Sequence, residues 1–382
     1  MNNAPIHRNI IPLKRKTPPL RAVITAIALV MATCGATNCA AQSAPLHYLL
    51  ALSKSNHTLA LVDPVTLKVM ATVPVGTDPH EVIASSDGKT AYVSIYGGGS
   101  LHEIDVIDLV AKKALPPIDS KPFFGPHGLT FAAGKLWLTA EGSKSVARLD
   151  PATNTFDWSM GTGQDRTHMI YVTPDGKKIY TTNVSSGTVS ILADTLMQGG
   201  FGPPPGGGQQ GSPGGGPPPG SGPPAGFKPQ ARHDWEQTVI PVSRGSEGFD
   251  VSPDGIQLWT AASDDGSIAI IDLIAKKLLE KIDAKVFGAN RLEFTPDGKQ
   301  VLISSLRNGD ITVYDVASHK EVKKVNIGHG AAGILMDPDG SRAFIGCTVD
   351  NYVAIIDLKT LTVIGHIDVG GGPDGLAWAV KP

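Results

Sequence analysis

Three histidines, His80, His127 and His168, recur at one place in a repeated motif, and the later members of that series are Glu247, Asn290, Ala332 and Asp374. Imidazole nitrogens beside a carboxylate are a donor set for Zn2+, Cu2+ or Fe2+, and three of them leave a coordination position for water or substrate. On this reading His80, His127 and His168 hold a divalent transition metal. Arg166, Arg244 and Arg291 lie within three residues of members of the series and could hold an anionic substrate. Glu247 would be the catalytic base if it is not itself a ligand. Asn290 and Asp374 join the arginines as ligand-binding candidates. A plainer account competes: a turn position beside water takes His, Asp or Asn for its backbone preferences, without any metal.

Whether side chains so distant in sequence can meet depends on the elements that carry them. Members of the series are spaced by 47, 41, 79, 43, 42 and 42 residues. A second series, Asp63, Asp108, Asp150, Asp194, Asp272, Asp315 and Asp357, closes an apolar run each time, with steps of 45, 42, 44, 78, 43 and 42. Both count seven, and the single long step falls in the same unit, as expected for one repeat carrying one insertion. Tight turns such as Pro174-Asp175-Gly176-Lys177 and Pro296-Asp297-Gly298-Lys299 lie between each opener and its Asp, Pro presetting φ and Gly supplying a positive one. A unit therefore divides into four short strands, in the first case 81–85, 90–96, 102–109 and 113–118.

Runs such as Ile268-Ala269-Ile270-Ile271 are apolar on both faces, which suits strands covered on two sides. Seven units of four strands predict an all-β chain, a seven-bladed β-propeller over 46–382. The stretch 373–380 opens like a first strand and has no successors, whereas 48–52, 59–63 and 68–75 follow one another with no first strand before them. Pairing the two ends into one four-stranded blade closes the ring. The openers then converge at one mouth of the channel, and the seven Asp residues cap turns and carry no chemistry.

Asp175-Gly-Lys-Lys-Ile-Tyr180-Thr-Thr-Asn183 and Asp87-Gly-Lys-Thr-Ala-Tyr92-Val-Ser-Ile95, with openers of the form Gly-x-x-Pro-x-Gly, resemble the repeat that names the YVTN-type β-propellers. The resemblance spans 46–382 apart from the insertion. It implies the seven-bladed fold and a choice among surface-layer-like proteins, lactonase-like enzymes and periplasmic proteins of unassigned role, and it makes His a common residue at the opener.

Residues 1–41 read as a signal peptide, with Arg8, Lys14, Arg15, Lys16 and Arg21 ahead of an apolar run, 22–32, that is short for a membrane span. Export to the periplasm or beyond follows, with no transmembrane helix in the mature chain. Lipid attachment at Cys34 or Cys39 is the alternative, and neither cysteine sits in a good lipobox. Cleavage leaves 28 basic against 35 acidic side chains, so nucleic acid is not an expected partner. Cys347 alone survives cleavage, so the mature fold has no internal disulfide, and the absence of Cys-x-x-Cys-His excludes covalent c-type haem. Segment 198–230, rich in Gly and Pro, is expected to be a disordered insertion in the third blade, leaving from the face opposite the openers. The leading function is a ligand-binding or protein-interaction scaffold, expected to be a monomer that takes an unknown small molecule or protein at the channel mouth. The alternative is a metal-dependent enzyme of lactonase, lyase or oxidoreductase type.

Overall fold

Short β-branched runs bounded by Gly, Pro and Asp become strands of five to ten residues in the computed structural model, which describes residues 47–197 and 231–381. The expectations of a cleaved leader and of a disordered insertion fall outside those residues. Twenty-eight strands form seven four-stranded antiparallel sheets. The inner strands of blades one to seven are Pro79–Ala84, Pro126–Ala132, Thr167–Val172, Ser246–Val251, Ala289–Phe294, Ala331–Met336 and Pro373–Val380. In blades one to six the chain then runs outward strand by strand.

Burial follows that order. In blade four the third strand, Ile268–Asp272, is buried along four of its five residues, while the outermost, Lys277–Ile282, is exposed along all but its last. Middle strands are covered by a neighbouring blade on each face, so both of their faces are apolar and no period of two appears. Trp137 and Trp259 lie fully inside this packing. Trp378 is half-buried, its indole N–H donating to the Met336 carbonyl at 2.7 Å.

Ring closure is explicit. Blade seven is Pro373–Val380 followed outward by His47–Ser53, Thr58–Asp63 and Lys68–Pro74, with Leu49, Leu50 and Ala51 facing Trp378, Ala377 and Leu376. One face of this sheet packs Leu50, Leu52 and Leu61 against Val82, Val93 and Ile107 of blade one. Its other face packs Leu49, Ala51 and Val62 against Phe344, Val353 and Ile355 of blade six.

The Asp series behaves as turn caps. Asp63 Oδ1 accepts from the Val65 and Thr66 amides at 2.9 and 3.0 Å, and Asp272 Oδ1 does the same for Ile274 and Ala275. Asp194 differs, pairing with His233 at 2.9 Å, because the third and fourth strands of blade three, Thr188–Met197 and Arg232–Pro241, run on until Met197 faces Arg232. The insertion thus interrupts a turn between third and fourth strands, on the face away from the openers.

Candidate functional site

All seven opener residues line one cavity of about 350 Å3 at the channel mouth. A larger groove of about 530 Å3 is lined by Thr295, Asp297, Lys299 and Asp339, turn residues that recur from blade to blade, and is the space between turns. The three histidines, on consecutive blades of the seven-fold ring, come together. The His80 and His127 ring centres are 4.8 Å apart and those of His127 and His168 are 3.8 Å apart, with the rings tilted to one another by 56° and 33°.

A shared ion needs lone pairs that converge about 2.0–2.1 Å from a single point. Among the described residues no three His, Cys, Asp or Glu side chains are grouped so as to hold a metal. The surroundings explain why. The Lys54 ammonium lies 2.7 Å and Asp78 Oδ1 3.0 Å from His80 Nε2, so that nitrogen is engaged by a protein neighbour in either tautomer. Burial, together with Lys54, keeps His80 below the usual histidine range despite Asp374 and Asp78. His127 is driven well below that range by burial and by His168 and His80, so it is a neutral imidazole. His168 alone is presented as a ligating histidine would be, with Nδ1 hydrogen-bonded to the Glu141 carboxylate. The trio as a metal centre therefore does not fit the geometry.

Three partners were missed in the sequence, Lys54, Tyr96 and Glu141. Each is the first residue after the second strand of its blade, the equivalents in blades five and six being Leu306 and Thr348, and four of these five line the cavity. Glu141 sits behind it, buried, taking hydrogen bonds from the Tyr96 hydroxyl as well as His168. Burial pushes its carboxyl up, but the bonds from His168 and Tyr96 with nearby Arg166 hold it below the usual range. The signal was present: a third register, one residue past each second strand, runs parallel to the openers.

The predicted arginines separate. Arg291 is buried under the cavity, its guanidinium bonded to the Glu81 carboxylate across the channel. Burial disfavours its charge, and Glu81, Asp374 and Glu247 more than restore it. Glu81 and Arg291 each follow an opener, a place held by Gly in four blades, where inner strands run so close that a Cβ on Gly375 would lie 2.4 Å from the His80 carbonyl oxygen. Arg166 lines the cavity; Arg244 does not and is exposed on the surface. The reason is register. Arg166 stands two residues before its opener, at the left-handed bend that leads into the inner strand, whereas Arg244 stands three before Glu247 and Gly245 makes the bend. Glu247 accepts from Asn290 Nδ2 at 2.7 Å, and Asp374 pairs with Lys54 at 3.3 Å.

Residues 236–342 match the model of the YNCE-like β-propeller family. No curated protein matches the chain. Among solved structures, a functionally unknown protein from Desulfotomaculum acetoxidans aligns with a TM-score of 0.65 at 12% identity, covering 88% of this chain and 99% of that one. A candidate 6-phosphogluconolactonase from Bacteroides fragilis aligns at 0.63 and 13%, covering 88% and 99%. Kuenenia stuttgartiensis hydrazine synthase aligns at 0.59 and 17%, covering 78% and 89%. Identities this low establish the shared propeller fold and nothing about activity.

Below its mouth the propeller carries a carboxylate that staples two blades together. Asp250, on the inner strand of blade four, accepts from the Phe294 amide of blade five at 2.9 Å and from the Val251 amide at 2.7 Å. Burial raises its carboxyl to about 6 against those bonds. An acid that titrates higher folded than unfolded contributes stability that is complete below its unfolded value near 3.8 and is lost as pH rises through about 6. Asp250→Asn keeps the acceptor and removes the charge. Its stability relative to wild type should therefore rise by about 1–3 kcal/mol between pH 4 and pH 7.5. Urea unfolding of both proteins across that range checks this, and a difference independent of pH would contradict it.

Proposed function

We propose that this protein is an exported propeller that binds a small polar molecule in the cavity at the mouth of its channel. One observation carries the reading. Buried polar atoms nearly always have partners, and among the described residues three side-chain atoms do not, of which two, His127 Nδ1 and Asn290 Oδ1, belong to side chains lining this cavity. Orphaned polar groups cost stability where they stand and reward a molecule that satisfies them. Export rests on the basic and apolar leader.

The test is a thermal-shift screen of small sugars, amino acids and hydroxy acids against protein recovered from the cell envelope, whose first residue should be Gln42. A ligand at a hundred times its dissociation constant adds about 2.7 kcal/mol, a clear rise in melting temperature, and His127→Ala should abolish the rise. If no compound shifts the wild type, or if the variant responds equally, the reading fails.

Acid–base catalysis in the same cavity is a second reading, with one observation behind it. Glu141, which also accepts from the Tyr96 hydroxyl, holds His168 through Nδ1, the way a general base is oriented by a carboxylate. Turnover of a bound compound that His168→Ala removes would favour it.

A further inference from the structure

Two residues before every opener the chain enters the left-handed region. Five blades place Gly there, at Gly125, Gly245, Gly288, Gly330 and Gly372, with φ between 63° and 80°. Two do not: Asp78 has φ 58° and Arg166 has φ 55°. A side chain with a Cβ is disfavoured in that conformation by about 1 kcal/mol or more, and such strain is retained where the side chain has work to do. Both of these side chains are charged and both come to the mouth.

Their situations differ. Asp78 is matched, lying 3.3 Å from Lys54 and 3.0 Å from His80 Nε2. Arg166 lines the cavity with its side chain 42% exposed, and its guanidinium donates no hydrogen bond to any described residue, lying 3.6 Å from Glu141 and 3.7 Å from Glu247. Lys54 is held by His80, Asp78 and Asp374, and Arg291 by Glu81. Of the three cations around the cavity, Arg166 alone is held by no hydrogen bond, only by two long ion pairs, and its planar fork of donors has the geometry that grips a carboxylate.

The surrounding charge narrows the ligand. Asp78, Glu81, Glu141, Glu247 and Asp374 outnumber Lys54, Arg166 and Arg291, while His127 is neutral. A dianion such as phosphate is disfavoured in that field, and a molecule bringing its own cation is favoured. Beside Arg166 stands the Glu247 carboxylate, an acceptor, and the apolar part of the wall is Leu306 and Ala332.

We propose that the cavity takes a small zwitterion of the 2-amino acid class, its carboxylate on Arg166, its ammonium on Glu247, and a short apolar side chain toward Leu306 and Ala332. The assignment rests on the cavity being a ligand site, and the experiment separates the two. Calorimetric titration of the full chain with L-alanine is compared with L-lactate, which lacks the ammonium, ethylamine, which lacks the carboxylate, and glucose, which is uncharged. L-alanine should bind saturably, and each one-charge analogue about tenfold or more weaker, because the unmatched group on the protein stays unpaired. Arg166→Gly should weaken L-alanine by tens- to hundred-fold and melt no lower than wild type, since it relieves the strained φ. Glucose binding that Arg166→Gly leaves intact would keep the ligand site and overturn the zwitterion. Alanine binding unchanged in Arg166→Gly also overturns it, and no binding by any of the four, together with a blank thermal-shift screen, removes both.

Discussion

A chain ending at Gly372 should not form the native ring. Its missing strand is the inner strand of blade seven, which pairs with His47–Ser53 and buries Leu376, Ala377 and Ala379. Without it, Leu49 to Leu52, all fully buried, lie on an open edge, and both neighbouring blades lose part of their packing. Several apolar side chains at about 1.5–3 kcal/mol each, with the ladder hydrogen bonds at about 1 kcal/mol each, amount to something on the order of 10 kcal/mol. Net stability of a domain is about 5–15 kcal/mol, so the loss is comparable to the whole. Far-UV circular dichroism and limited proteolysis should show an unfolded or open chain, and a synthetic 373–382 peptide should restore protection in trans. A truncated protein that melts cooperatively within a few degrees of the full chain would show that closure does not depend on this strand.

Breaking the pair under the cavity should be the next largest effect. Arg291 and Glu81 side chains are 10% and 11% exposed and neutralise each other across the channel. Arg291→Met leaves a buried carboxylate alone and should cost about 3–5 kcal/mol, with Glu81→Leu costing a similar amount. The double variant should cost clearly less than the sum, because removing both charges leaves neither stranded. Chemical denaturation of the four proteins forms the cycle. Single variants within about 1 kcal/mol of wild type, or simple additivity, would mean that water reaches the pair and screens it.

Much of this was legible because a propeller repeats. One seven-fold spacing located the openers, a second the turn-capping aspartates, and the meeting of His80, His127 and His168 followed from counting alone. Lys54, Tyr96 and Glu141 were missed because each differs in type from its equivalents in the other blades, so composition hid a register that position would have revealed. Arg244 was a candidate for its nearness in sequence to Glu247, and one residue of register turned it outward. The metal reading turns on orientation: spacing can bring imidazoles together but does not say whether their lone pairs converge.

What the sequence by itself determined is the number of blades, the order of strands within each and which residues surround the mouth, because these depend on local turn chemistry and on apolar runs repeated at a nearly constant interval. Only the tertiary structure decided which charges are consumed by one another and which remain available. Lys54 meets Asp374, Glu81 meets Arg291 and Arg166 is left in long ion pairs without a hydrogen bond, and those outcomes depend on distances of a few ångström between inner strands that are far apart in the chain. Electrostatic and hydrogen-bond energies change severely over such distances, while the hydrophobic pattern that builds the ring hardly changes at all.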